Sequence, residues 1–513
     1  MQINKIPAQK TMTRTYFLAL SIFLLFAIAL GPQSSIQASK LKWRTKMDPD
    51  LLEQNTIEQV EYLVFLTQQA NIEKTKFLPT KLEKGHYVVK ELKATAESNQ
   101  APILEYLTKN NIEHRAFWIA NMIWVRSTHE EMAQIAERNE VARIFANNEI
   151  SIQLPEPFPE SKPGDQRLLP GAVEWNIDQV NAPKVWEAGY TGQGVVIGGQ
   201  DTGYDWDHPA LINKYRGWNG SSADHNYNWH DSIHSGGGVC GPDSNEPCDD
   251  YSFGHGTHTM GTMIGDDGGS NQIGMAPGAK WIGCRNMDQG NGTLASYIEC
   301  FEWFLEPTDL NGENGNSDLA PHVVNNSWYC PPEELCDWDS LMPVVNNTRA
   351  AGIVVVVSTG NFGSSGCGSV NHPPAIYEAS FSVGATDSGD IITGFSSRGP
   401  SDYTNLLKPN VSAPGYNVRS SIKGGSYGTA SGTSMAAPHV TGLVALLLSA
   451  RPDLIGQVDQ IENIIERNAL PRITTETCGG IPAGQVPNNT YGWGRIDAYE
   501  TLFDTLIFPL IYR

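Results

Sequence analysis

The chain has 513 residues, enough for more than one domain, and its 50 glycines point to many tight turns and loops. Its formal net charge is -21 and is unevenly placed: residues 40–152 carry 15 basic and 16 acidic groups, whereas residues 153–513 carry 17 and 40. So acidic a body repels phosphate, which argues against nucleic acid as a partner; the same charge serves solubility.

In chain order, Lys5, Lys10 and Arg14 precede the apolar run YFLALSIFLLFAIAL, and the polar GPQSSIQAS follows, with Ala38 at a small-residue cleavage position. That is the layout of an export signal over residues 1–38. The run is fifteen residues long, short of the roughly 20 a spanning helix needs. An uncleaved anchor is the competing reading; no stable membrane insertion is expected once the signal is removed. Residues 58–152 read as a small domain. VEYLVFL is a strand, SNQAPILEYLTKNNI has helical spacing, and RAFWIANMIWVRS is two strands turning near Asn121. STHEEMAQIAERNEVARIF reads as one helix, with Thr128 as N-cap and Glu131 three residues on. NEISIQL is the last strand, so the order is that of a split βαβ unit. The Pro- and Gly-rich LPEPFPESKPGDQRLLPG, within residues 153–172, reads as an exposed linker.

From residue 173 to 513 short apolar strands (GVVIGGQD, PHVVNNS, GIVVVVSTGN) alternate with helical patterns (THTMGTMIG, LASYIECFEWFL, MAAPHVTGLVALLLSA). The alternation specifies an α/β fold, a mostly parallel sheet covered by helices on both faces, with functional residues at the strands' carboxyl ends. The apolar tail LFDTLIFPLIYR is too short to span a membrane and reads as docked on the domain. All eight cysteines lie between Cys240 and Cys478, and an even count in an exported chain reads as disulfides. Cys240 with Cys248, and Cys330 with Cys336, are near enough to bridge short loops, which would leave Cys284 with Cys300 and Cys367 with Cys478; sequence alone does not settle the pairing. The expected job of these bridges is to hold exposed loops.

Three motifs carry chemistry. Asp201 ends a strand in QDTGYDWDHP, His255 opens a helix in FGHGTHTMGT, and Ser434 opens another in SGTSMAAPH. Asp, His and Ser in that order are one of the arrangements of a serine-hydrolase triad. Ser434 would attack a carbonyl carbon, His255 would carry its proton to the leaving group, and Asp201 would hold the imidazole tautomer. The plainer readings are weaker. Ser434 alone could be a helix cap; an aspartic protease would need a second DTG; His255 and His258 lack the H-E-x-x-H spacing of a zinc pair. His439 follows Ser434 by five residues, about 140° away around a helix, so it reads as a packed interior residue rather than the base. Pro438 is tolerated as a first-turn residue.

Together the three motifs and their flanks resemble the subtilisin-type serine peptidases, the subtilases, over residues 173 to 499. QDTGYDWDHPALINKYRGW and VVNNSWYCPP are similar to the bacillopeptidase F branch of that family, and residues 58–152 resemble its inhibitor-type propeptide. The resemblance implies a subtilisin-like catalytic domain at 173–513 behind a small α+β, ferredoxin-like propeptide domain. It implies a secreted serine endopeptidase working through an acyl-enzyme, made as a precursor that cuts itself between about 150 and 172. A catalytically silent binding protein on the same fold is the alternative. Asn361 and the Ser434 backbone N–H would be the oxyanion donors. Ser327, Trp328 and Tyr329, and Ser358, Thr359 and Gly360, would flank an extended peptide; Trp328 stands where the family often has a smaller aliphatic residue. Partners would be protein or peptide substrates and the chain's own propeptide as intramolecular inhibitor, in a monomer.

The chemistry needs no cofactor, and no metal is assigned. Many members bind calcium through an Asp where this chain has Ala210, which counts against that site although Asp266, Asp267 and Asn271 are present; structural calcium elsewhere is left open. Asp249, Asp250, Glu333 and Glu334 could favour basic side chains in a substrate, but solvated surface carboxylates are the preferred reading. The insertion holding Cys240 and Cys248 precedes His255 closely enough to shape the cleft.

Overall fold

The computed structural model describes residues 42–53, 59–152, 172–331 and 336–507. The export signal, nearly all of the linker, and Glu333 and Glu334 lie outside the described residues.

The N-terminal part is an antiparallel sheet of β1 (Val60–Leu66), β2 (Glu113–Phe117), β3 (Met122–Ser127) and β4 (Val141–Ala146), in the order β2-β3-β1-β4. Its helices, Lys81–Lys109 and His129–Ala136, both start in capping boxes, Thr80 with Glu83 and Thr128 with Glu131. The period of two along β1 decides its burial. Tyr62, Val64 and Leu66 join Ile103, Leu107, Met132 and Ile135 in one core, whereas Leu63 faces the other way, into the core of the large domain.

Two sequence expectations are corrected here. The helix expected through VARIF ends at Ala136, and VARIFA is β4. Val141 and Ile144 pair with Leu66 and Val64, a long-range ladder that outweighs local helix propensity. NEISIQL is not the last strand of this sheet: among its described residues only Ile150–Ser151 (β5) forms a strand, and it pairs with the large domain.

The large domain contributes β6 (Val196–Asp201), β7 (Trp229–Asp231), β8 (Lys280–Arg285), the two-residue β9 (Met287–Asp288) and β10 (Asn291–Gly292), β11 (Val323–Asn326), β12 (Val354–Ser358), β13 (Phe381–Thr386) and β14 (Val411–Pro414). Seven of these form a sheet ordered β14-β13-β12-β11-β6-β8-β7, parallel at every pairing. Helices cover both faces, so strands such as VVVVS of β12 are buried throughout, which accounts for their unbroken apolar runs. Helices His255–Ile264 and Thr433–Ala450 lie on one face; Leu294–Leu305 and Met342–Ala350 lie on the other. Thr433–Ala450 is long and apolar enough to cross a membrane, but it is the buried core helix.

The N-terminal sheet sits on this second pair of helices, and one apolar core runs through both parts. Polar contacts seal the seam: Ile119 N–H donates to Glu302 Oε2 (2.8 Å), Asn347 Nδ2 to Ile119 O (2.5 Å), and Ala295 N–H to Asn147 Oδ1 (2.9 Å). The bridges are Cys240–Cys248, Cys284–Cys300, Cys330–Cys336 and Cys367–Cys478. The loop role fits only part of this set, since Cys284 and Cys300 are fully buried and tie β8 to helix Leu294–Leu305.

Candidate active site

Parallel strands end at one edge of the sheet, and there the sequence-selected residues meet. Asp201 is the last residue of β6, and Asn326 of the adjacent β11 stands opposite Gln200. Ser327 is next in the chain, so the segment leaving β11 starts beside the end of β6. His255 is the first residue of its helix, and Ser434 the second of Thr433–Ala450. All three groups are buried, Ser434 with 4 % of its surface exposed.

The His255 imidazole and the Asp201 carboxylate meet at 2.6 Å, Nδ1 to Oδ1. A carboxylate only accepts, so the proton lies on Nδ1 and Nε2 is left as the basic nitrogen. Asp201 is itself held by the Thr202 N–H at 2.8 Å. Two glycines let these segments touch: a Cβ on Gly256 would stand 2.1 Å from Gly203 O, and one on Gly203, at φ +108°, would stand 1.8 Å from Cys248 O. Nε2 of His255 is buried and has no hydrogen-bond partner among the described residues. Ser434 Oγ donates instead to Ser327 O at 3.1 Å.

Ser327 grips the serine from the other side as well. Its hydroxyl donates to Ser434 O at 2.9 Å. In an unbroken helix that carbonyl would take the N–H of residue 438, and residue 438 is proline. Pro438 is thus not a first-turn residue, as expected from sequence, but the sixth of the helix. Its missing donor opens Ser434 O to Ser327.

Asn361 lies beyond the end of β12, and its Oδ1 accepts from both Thr433 N–H (2.9 Å) and Thr433 Oγ1 (3.0 Å). That commits the amide oxygen to the start of the serine's helix and makes the NH₂ the donor end of the group. Of the two segments expected to flank a peptide, Ser327–Tyr329 follows β11. Trp328 is 1 % exposed and stacks on Tyr297 at 3.9 Å, so it fills space instead of opening a pocket. In the other, Thr359 N–H donates to Val383 O, and Gly360 O accepts from Ser397 N–H. Tyr329 meets the rings of Phe362 and His372 at 5.2 and 5.6 Å; neither of these two was singled out from sequence.

A third segment was also missed. β10 pairs antiparallel with β5, Asn291 opposite Ser151 and Gly292 opposite Ile150, and Ile152 N–H donates to Gly290 O at 2.8 Å. The chain leaving the N-terminal part therefore runs as an added strand beside Gly290–Gly292. The signal was present in QGNGT, a glycine-spaced stretch between a strand and a capped helix.

The remaining titratable groups are accounted for. Nε2 of His258 meets Val418 O at 3.0 Å, and burial, with His255 nearby, lowers it to about 3. His439 meets Met435 O (2.9 Å) and the Asn176 amide (2.8 Å), and burial lowers it to about 4. Both are neutral interior histidines. Asp249 and Asp250 are not surface carboxylates: they are 2 % and 7 % exposed. Asp250 pairs with the buried Arg285, and Asp249 binds only hydroxyls and N–H groups. In the loop after Ile264, where calcium comes into question, the carboxylates are tied into the loop's own hydrogen bonds. Asp267 already accepts from Gly269, Asn271 and Tyr427, and Asp266 from Gly268. No step is assigned to that ion.

Comparison with known proteins places these residues in a family. The family model described as "Subtilase family" matches residues 192–494. Bacillopeptidase F of Bacillus subtilis (strain 168) is 39% identical over 449 residues, 85% of this chain and 30% of that protein. Subtilisin E of the same organism is 33% identical over 282 residues, 55% of this chain and 62% of that protein. Subtilisin Savinase of Lederbergia lenta is 30% identical over 328 residues, 64% of this chain and 97% of that protein. The chain thus spans under a third of the length of Bacillopeptidase F.

Proposed function

The chain belongs to the Subtilase family, and from that membership we propose that it is a secreted serine endopeptidase, made as a precursor and matured by its own cut. The observation that carries the reading is the buried Asp201–His255 pair, at 2.6 Å, on the same sheet edge as Ser434. With its proton on Nδ1, His255 Nε2 is the base for a serine hydroxyl. Ser434 Oγ would leave Ser327 O for Nε2 as it attacks the substrate carbonyl. The imidazolium, held by Asp201, would then protonate the leaving amine, and a water would release the acyl group by the same path. The Asn361 NH₂ and the Ser434 N–H, at a helix start, would face the developing oxyanion. Loss of one such donor costs about 10²–10³ in kcat; Asn361→Leu should lose that much, read as kcat on a chromogenic peptide. Four disulfides support export to an oxidising compartment.

The test of the reading is a serine-directed fluorophosphonate on matured protein. Labelling at Ser434 with parallel loss of peptide hydrolysis is the expected result. Absence of labelling would sink it in favour of a silent binding protein.

The N-terminal part would act as the intramolecular inhibitor. Residues 150–152 lie as a strand beside Gly290–Gly292, the way an extended substrate would add to the sheet. The maturation cut is therefore expected close to this strand, between about residues 150 and 172, and N-terminal sequencing of the mature form checks it. The seam should also respond to pH. Burial pushes the Glu302 carboxyl up to about 8, and Glu299 adds to this, while the Ile119 and Trp118 N–H groups and Lys93 pull it down. Free of the N-terminal part, Glu302 would return to an ordinary carboxylate near 4.3. A raised value in the complex means that association is fully favoured below about 4.3 and is lost as pH rises toward 8. Lys81, lowered to about 8 by burial, begins to lose its charge only at the upper end of that window. The cut but associated complex should thus release its N-terminal fragment on the order of 10²-fold more readily at pH 8 than at pH 5. Glu302→Gln should flatten that difference in a dissociation assay.

A further inference from the structure

Asp249 is a fully enclosed carboxylate that the triad chemistry leaves unused. It follows Cys248 directly, at the end of the cystine-bridged insertion. Its Oδ1 accepts from Thr202 Oγ1 (2.9 Å) and from the Tyr251 N–H (3.2 Å). Its Oδ2 accepts from the Thr257 N–H (3.0 Å) and Thr257 Oγ1 (2.7 Å). Thr202 adjoins Asp201, and Thr257 stands two residues past His255. The link closes through Gly256, whose N–H donates to Thr202 Oγ1 at 3.0 Å. Cys248 O fixes the loop in turn by accepting the Tyr204 N–H at 3.2 Å. One carboxylate therefore joins the segment after Asp201 to the first turn of the His255 helix, 54 positions apart in sequence. No cation is among the groups that touch it, and an unpaired buried carboxylate is costly to keep.

We propose that Asp249 is a positioning residue for catalysis, holding Asp201 and His255 in line so that the basic nitrogen stays aimed at Ser434. The inference rests on the peptidase reading. All four of its partners donate, so an asparagine there keeps the shape but must turn its NH₂ against two donors. One flip sets the NH₂ against the Tyr251 N–H and the other against the Thr257 N–H; these backbone donors cannot reverse as the hydroxyls can, so one of the two anchoring bonds is lost either way. Small displacements of a catalytic pair are expensive, about 10²-fold for an ångström.

The test uses full-length Asp249→Asn, matured in trans by wild-type enzyme that is then removed, with active sites counted by fluorophosphonate titration. The expected result is a kcat per titrated site about 10- to 100-fold lower, a KM changed less than about threefold, and a shifted acidic limb of the kcat/KM profile. A purely structural role would lower the number of titratable sites and leave each one at full rate. A kcat per site within about twofold of wild type, with the acidic limb unmoved, overturns the proposal. Should Asp249→Asn fail to fold, Thr202→Val decides. It removes the hydroxyl joining Asp249 to Gly256 and must lower kcat per site in the same way; a full rate there is equally fatal. Wild-type protein that neither labels nor hydrolyses peptides would sink the peptidase reading itself, whereas active wild type matched by the variants would remove only the role of Asp249.

Discussion

Ser434→Ala should accumulate as an uncut precursor that is folded and inactive. The substitution removes one oxygen, at the second residue of a helix buried along most of its length, so the cost in stability is small. The lost Oγ gives up one hydrogen bond, to Ser327 O, and that acceptor sits at a strand end beside the cleft. The grip of Ser327 Oγ on Ser434 O is a backbone contact and survives the change. On the proposed mechanism, by contrast, the chemistry loses its nucleophile. In a subtilisin-type triad this costs on the order of 10⁶ in kcat, a measured value for the family rather than a derivation from this geometry. Gel analysis of purified protein over days reads the outcome. A Ser434→Ala chain that matures normally in pure form would show that the cut is made by something else.

His255→Ala and His439→Ala should separate completely. The two histidines flank the chemistry from different helices, and in the printed sequence His439 is the one nearer Ser434. His255→Ala, matured in trans, should lose activity by a comparable factor of about 10⁶, because the proposed base is gone and no other histidine is hydrogen-bonded to Ser434 Oγ among the described residues. His439→Ala should keep its rate per active site and lose stability. It abandons the Asn176 amide and the Met435 carbonyl in a dry interior and leaves a cavity, together about 2–4 kcal/mol. Thermal unfolding and active-site titration of both proteins check this. A His439→Ala enzyme with normal stability and a rate reduced a thousandfold would invert the assignment.

Residues at strand ends were the most legible part of the site. Asp201, His255 and Ser434 each sit where a strand stops or a helix starts, and short motifs with glycine beside them mark such places. The seven-stranded sheet was legible for the same reason, since strands buried on both faces must be apolar throughout. VARIFA misled because its apolar spacing suits a helix or a strand over so few residues, and only pairing with β1 decides between them. Asp249 misled because an acidic residue in a cysteine-containing loop is usually solvated; four donors brought from three segments bury it. Gly290–Gly292 was overlooked because its significance lies in what pairs with it.

The amino-acid order alone therefore determined the chemistry available, the α/β architecture and the presence of a separate N-terminal unit, because periodicity and turn residues are local properties. Tertiary structure alone decided which cysteines pair, which histidine faces the aspartate, and what replaces the hydrogen bond that Pro438 cannot make. Each of these depends on distances between residues far apart in the chain, set by the sheet's order and register, and no local pattern encodes them.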